Sequence, residues 1–173
     1  FPYLNHPSKK AYFDAFKELQ AMVEGNIPID LKRAVFITEN AYLNNSMEYA
    51  DYLKAINHML EVVRLKQNQD GYPMGNQVAK IHTLHKFVSD TFSVKFPGME
   101  QEYTHYPMTY DFDDFRGEEN YTKQFVSKLI VEGSGQCHSM PLLFLILAQE
   151  YGAEAYLAFA PSHSYIKFPD NNG

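Results

Sequence analysis

Tryptophan is absent, cysteine occurs once and no apolar stretch is long. A single cysteine forms no internal disulfide, so the fold rests on packing and hydrogen bonds alone. That leaves the compartment open, because disulfide-free domains also occur in exported proteins. The longest apolar run, Met140 to Ala148, falls far short of the ~20 residues a membrane-spanning helix needs. Basic residues are scattered along a chain of net charge -6, which argues against a nucleic-acid partner, since phosphate neutralisation needs a concentrated patch. Phe1 is not preceded by an initiator Met, and no charged-then-apolar leader follows it. The N-terminus therefore reads as trimmed, and export stays possible. At the other end, Pro169-Asp170-Asn171-Asn172-Gly173 reads as a hairpin turn whose returning strand is missing.

What is present suits one globular domain over 1–173: an ordinary apolar share, with 13 Tyr and 13 Phe to fill a core. Residues 1–95 are mostly helical in pattern. Ser8 is placed to cap a helix carrying Tyr12, Phe16, Leu19 and Met22 or Val23, stopping at Gly25. A second helix is expected from about Asp30 to Tyr42. A third follows a capping box of Asn45 and Glu48, buries Leu53, Ile56, Leu60 and Val63, and ends at the turn-rich 69–73. A fourth carries Val78, Ile81, Leu84 or His85, and Val88, ending near Phe92. Residues 96–120 mix Pro and Gly with aromatics and acids, which predicts a long ordered loop. A short helix over 121–130 is closed by Gly133-Ser134-Gly135. Residues 140–149 then form a helix that is apolar on nearly every face and so is buried, with Gly152 at its C-terminal cap. Strands are predicted over 156–160 and 163–168, turned by Pro161-Ser162. On the second strand His163, Tyr165 and Lys167 share one face. The fold class is α+β.

The chemistry concentrates at Cys137. A thiol attacks carbonyl carbon as thiolate, and a helix N-terminus favours that anion through its unpaired N–H groups and dipole. Gly133 and Gly135 let the chain turn sharply into the helix and leave room for a substrate. The same amides suit a tetrahedral oxyanion. The opposing reading is an inert buried thiol, the usual state of a free cysteine. Its polar neighbours and its place after a Gly-Ser-Gly turn argue for a nucleophile. Among seven histidines, His163 is the candidate base, on a strand that can return beside the helix start. His138 adjoins Cys137 but points about 100° away on a helix. Gln136, His138 and Tyr165 are candidates for the pocket or for oxyanion contact. His82 and His85 lie at helical spacing without a third ligand nearby. Asp111, Asp113 and Asp114 lack the glycine and distal Glu of a calcium loop. Neither metal nor cofactor is expected.

The segment Gly135-Gln136-Cys137-His138-Ser139-Met140-Pro141 through Ala148 resembles the nucleophile helix of the transglutaminase-like superfamily. Gly152-Ala153-Glu154-Ala155 and Ala160-Pro161-Ser162-His163-Ser164-Tyr165-Ile166-Lys167 resemble its following strands. Ile29 to Ala34 and Tyr49 to Leu53 are similar to a bacterial branch often found ahead of tetratricopeptide repeats. The resemblance implies a helical N-terminal part on a papain-like core with a small antiparallel sheet. It makes Cys137 the nucleophile and His163 the general base. The family's acid stands on the strand after the one bearing His, beyond Gly173. The third triad member is then either Asp170 in the turn or a residue further on. The activity implied is amide-bond hydrolysis or acyl transfer on a peptide or protein substrate. Members of this branch often lack the Cys, so the alternative is an inactive domain serving as a peptide- or protein-binding scaffold. Substrate, acyl acceptor and oligomeric state stay open.

Overall fold

A computed structural model describes residues 7–115 and 117–169 of the chain. It is a mixed fold of α-helices and small β-ladders, 53% helical. The chain divides into two compact units, Phe1–Lys54 and Ala55–Gly173, where one domain was expected from the sequence. Among the described residues, no helix is long and apolar enough to cross a membrane.

In the first unit, α1 (Pro7–Val23) packs on α2 (Leu31–Tyr42). The first helix begins one residue before Ser8, which therefore lies within its first turn and not at the cap. Asp30 caps α2, its carboxylate accepting the Arg33 amide at 2.9 Å, and so relieves one of the unpaired N–H groups of a helix start. The Arg33 guanidinium meets Glu18 through two bonds of 2.6 and 2.8 Å and covers the Tyr49 ring at 4.6 Å. The sequence expectation fails at Asn45. Its φ of 58° is left-handed, unlike the extended backbone of an N-cap. The third helix, α3 (Tyr49–Gln69), instead starts with Asp51 and Tyr52 bonding back to the Glu48 carbonyl.

The second unit is built around the C-terminal half of α3, α4 (Gln77–Ser89), α5 (Val126–Glu132) and α6 (Ser139–Tyr151). Ile56, Val63, Leu84, Leu129, Leu143 and Ile146 interlock at its centre with no measurable exposure. Burial on this scale removes their surface from water at about 25 cal/mol per Å2, which makes this helical cluster the foundation of the unit. Along α4 the buried stripe is Ile81, Leu84 and Phe87, while Val78 is exposed. One polar link crosses the core: the Tyr151 hydroxyl donates to the Gln67 side-chain carbonyl, and the Gln67 amide donates to the Pro73 carbonyl at 2.8 Å.

Residues 96–120 are less irregular than their composition suggests. They contain β2 (Tyr103–His105), antiparallel to β1 (Phe92–Val94), and β3 (Thr109–Tyr110). Strand β3 runs parallel to β4 (Ser134–Gly135), with Tyr110 opposite Gly135. The Asp111 amide donates to the Gly135 carbonyl at 2.7 Å. The helix expected over 121–130 is two pieces, a 3-10 turn over Tyr121–Gln124 and then α5. The last ladder is the antiparallel hairpin of β5 (Tyr156–Ala160) and β6 (His163–Lys167). Its loop is Pro161-Ser162, and Ser162 has a φ of 57°. Among the described residues the sheet content is thus three separate two-stranded ladders, one of them parallel, and not a single antiparallel sheet.

Candidate active site

The turn that carries Cys137 is shaped by two glycines acting differently. Gly133 closes α5 in the left-handed conformation, φ 68°, with its amide on the Leu129 carbonyl. Gly135 is needed for close approach: a Cβ there would come within 2.7 Å of the Ser139 hydroxyl and 3.1 Å of Leu129. The Ser139 hydroxyl accepts the Gln136 amide at 2.9 Å, and Met140 bonds back to the Gln136 carbonyl at 3.0 Å. Cys137 therefore lies in the turn leading into α6, just before His138, which caps the regular helix. Helix bounds shift by a residue or two with the criterion, so this refines the expectation that Cys137 opens the helix. Pro141 sits in the first turn, where its missing N–H costs nothing.

Cys137 is a free, partly exposed cysteine on the wall of a cavity of about 700 Å3. Tyr110, Phe115, His138, Phe159 and His163 share that wall. Its volume lies within the ordinary range for small-ligand sites. The thiol is therefore not sealed in hydrocarbon, and an imidazole from the hairpin opens on the same space. The alternation predicted along β6 is present, with Ser164 buried and His163, Tyr165 and Lys167 exposed. The side turned toward Cys137 is nevertheless that of Ser164, whose hydroxyl donates to the Cys137 carbonyl. His163 reaches the cavity from the turn end of the hairpin, where it pairs with Ala160. Tyr165 is 43% exposed and forms no part of the wall.

His138 shares the cavity with Cys137, and burial lowers its imidazole pKa, favouring the neutral, proton-accepting form. Gln136 does not line the pocket. It is wholly buried, and its side-chain amide donates to the carbonyls of Asp111, Asp113 and Asp114 at 3.3, 3.1 and 3.2 Å. Its own carbonyl oxygen is buried without a partner. Gln136 is thus a clamp for the loop after β3 and is out of reach of an oxyanion. Asp170 lies outside the described residues.

The acids of that loop serve its own architecture. Asp111 receives Lys128 at 2.7 Å, and this bond holds its carboxyl below the usual range. Lys128 also donates to the Ser134 carbonyl and hydroxyl, both at 2.9 Å, which ties the loop to β4. Asp114, at φ 48°, accepts the amides of Asn120, Glu118 and Glu119, and these bonds lower its pKa. His82 sets its edge on Tyr72, and the His85 ring lies 3.2 Å from the Ser89 hydroxyl. Among the described residues, no three His, Cys, Asp or Glu are grouped to hold a metal ion.

Tyr110 is the wall residue that sequence reasoning overlooked. Burial raises its phenol pKa, the Cys137 thiol raises it further, and the Cys137 backbone opposes with a smaller effect. A neutral hydroxyl thus stands against the candidate nucleophile. The mix of Pro and Gly with aromatics and acids pointed to a long ordered loop there, but nothing in the sequence indicates a two-residue parallel ladder. Comparison of the chain with protein-family models, with curated proteins and with solved structures gave no match.

Proposed function

We propose that the chain is a transglutaminase-like, cysteine-dependent enzyme that hydrolyses amide bonds or transfers their acyl groups. The observation carrying this reading is that Cys137 and His163 open on one cavity. In the proposed cycle the Cys137 thiolate attacks the carbonyl carbon and the C=O electrons collect on oxygen. The proton held by His163 passes to the leaving amine as the C–N bond breaks, leaving an acyl thioester. Water or a second amine then attacks, His163 accepts its proton, and the C–S bond breaks to release the Cys137 thiolate beside the protonated imidazole. Tyr110, which shares the cavity wall with Cys137, is placed to steady the oxyanion.

The lone cysteine makes the test direct, because every equivalent of iodoacetamide taken up reports on Cys137. At about pH 6 Cys137 should be alkylated faster than glutathione, and His163→Ala should abolish that excess. Alkylation no faster than that of glutathione in the unaltered chain overturns the enzyme reading. A scaffold that binds peptides without turning them over is the second reading. It is favoured by Ser164, and not His163, facing the Cys137 backbone. It predicts that His163→Ala leaves the rate where it was.

A further inference from the structure

The cavity beside Cys137 has two phenylalanines with independent anchorage. Phe159 lies on β5 directly across from Ser164, so both point from the same face of the hairpin, and Ser164 holds the Cys137 carbonyl. Phe115 follows the stretch that Gln136 clamps through the carbonyls of Asp113 and Asp114. Each ring is therefore positioned through a residue at or next to Cys137, one from either side of the turn. Both stay open to solvent, Phe159 at 74% and Phe115 at 56%. Large apolar side chains held exposed on the wall of a pocket gain free energy when a ligand covers them. The polar members of the wall are uncharged side chains such as Gln124 and Ser162, together with the two imidazoles. Among the described residues, it holds no Asp, Glu, Lys or Arg.

We infer that this cleft selects acyl donors carrying an aromatic group, which lies against Phe115 and Phe159 while the carbonyl faces Cys137. The inference rests on the proposed reading for the word acyl, but the recognition itself is independent of turnover. An aromatic ring gains contact with two others and leaves little polar surface stranded.

The experiment uses the full chain and two chloroacetamides, one N-methyl and one N-benzyl. In each, the Cys137 thiolate forms a C–S bond to the methylene carbon and chloride leaves. The readout is the benzyl-to-methyl rate ratio for the protein, divided by the same ratio for glutathione. This quotient cancels the reactivity of the thiol, so a sluggish Cys137 would defeat the enzyme reading while leaving the quotient measurable. The expected quotient is at least about tenfold, the discrimination that modest apolar contact provides. Phe159→Ala and Phe115→Ala should each lower it several-fold and together bring it near one, Phe159→Leu should lower it less, and Tyr156→Ala, outside the wall, should not change it. A quotient near one in the unaltered chain overturns the inference. So does a high quotient that survives both phenylalanine replacements.

Discussion

Replacing Gln136 by glutamate sets a demanding test of how the cleft is organised. The wild-type amide offers two N–H groups to the three carbonyls of Asp111, Asp113 and Asp114, and no measurable surface of the residue reaches water. An ionised glutamate would direct only acceptors at acceptors, so the native state must hold it protonated. Forcing a carboxyl with an ordinary pKa of about 4.3 to keep its proton at pH 7 costs about 3.7 kcal/mol, at 1.36 kcal/mol per pH unit. The protonated acid still has one donor fewer than the amide, a further loss of about 1 kcal/mol. The sum, about 4–5 kcal/mol, approaches the whole stability of a marginal domain. The sign follows from a folded-state pKa raised above the unfolded one. The penalty is absent below about pH 4.3 and grows as pH rises toward the folded value. Urea unfolding followed by far-UV circular dichroism at pH 7 and pH 5, with wild type at each pH, isolates this effect. The gap between the two proteins should narrow by about 2.7 kcal/mol at the lower pH. Gln136→Met removes the unpartnered oxygen but also takes the donor from the three loop carbonyls, and should cost about 1–3 kcal/mol, independent of pH. A glutamate variant as stable as wild type at pH 7, or a gap that ignores pH, refutes the clamp.

Two further outcomes follow from the packing. His105 is buried, stacked on Phe87 at 4.2 Å, and bonded through Nε2 to the Phe87 carbonyl at 2.5 Å; burial lowers its pKa despite that bond. Its contribution to stability is therefore full above the unfolded value of about 6.5 and lost as pH falls toward the folded one. His105→Phe should cost about 1–3 kcal/mol at neutral pH for the orphaned carbonyl, yet flatten the fall in stability below pH 6.5 when both proteins are titrated by urea midpoint. An unchanged slope would remove His105 from the acid response. Gly135→Ala should cost about 1–3 kcal/mol, because its Cβ meets Ser139 and Leu129 in a packed turn, whereas Gly75→Ala meets nothing within 4 Å and should be neutral or slightly stabilising. Equal melting temperatures for those two variants would contradict the crowding at the turn that carries Cys137.

Local rules carried the helices far. The start of α2 near Asp30, the apolar stripe Ile56-Leu60-Val63 and Gly152 as a helix terminator are each decided by neighbours within a turn or two, so they were legible in the sequence. Asn45 was misread because a capping pattern also fits a residue in a left-handed turn, and only the backbone distinguishes the two. The β3–β4 ladder joins residues 25 positions apart over two residues each, too short for any alternation to register. At the site, Cys137 and His163 stood out by residue type. The roles of Gln136, Tyr110 and Ser164 depend on which surfaces the ladders bring together. Gln136 in particular looked like a pocket polar group because it adjoins the thiol, yet neighbours in sequence leave a turn in different directions.

The bond from Ser164 to the Cys137 carbonyl gives the hairpin a mechanical part in whatever the thiol does. That carbonyl belongs to the peptide plane running from residue 137 to residue 138, so lifting the hairpin tip tugs on the plane flanking the sulfur. A guest that wedges beneath Phe159 would thus be felt at Cys137 through a single hydroxyl latch.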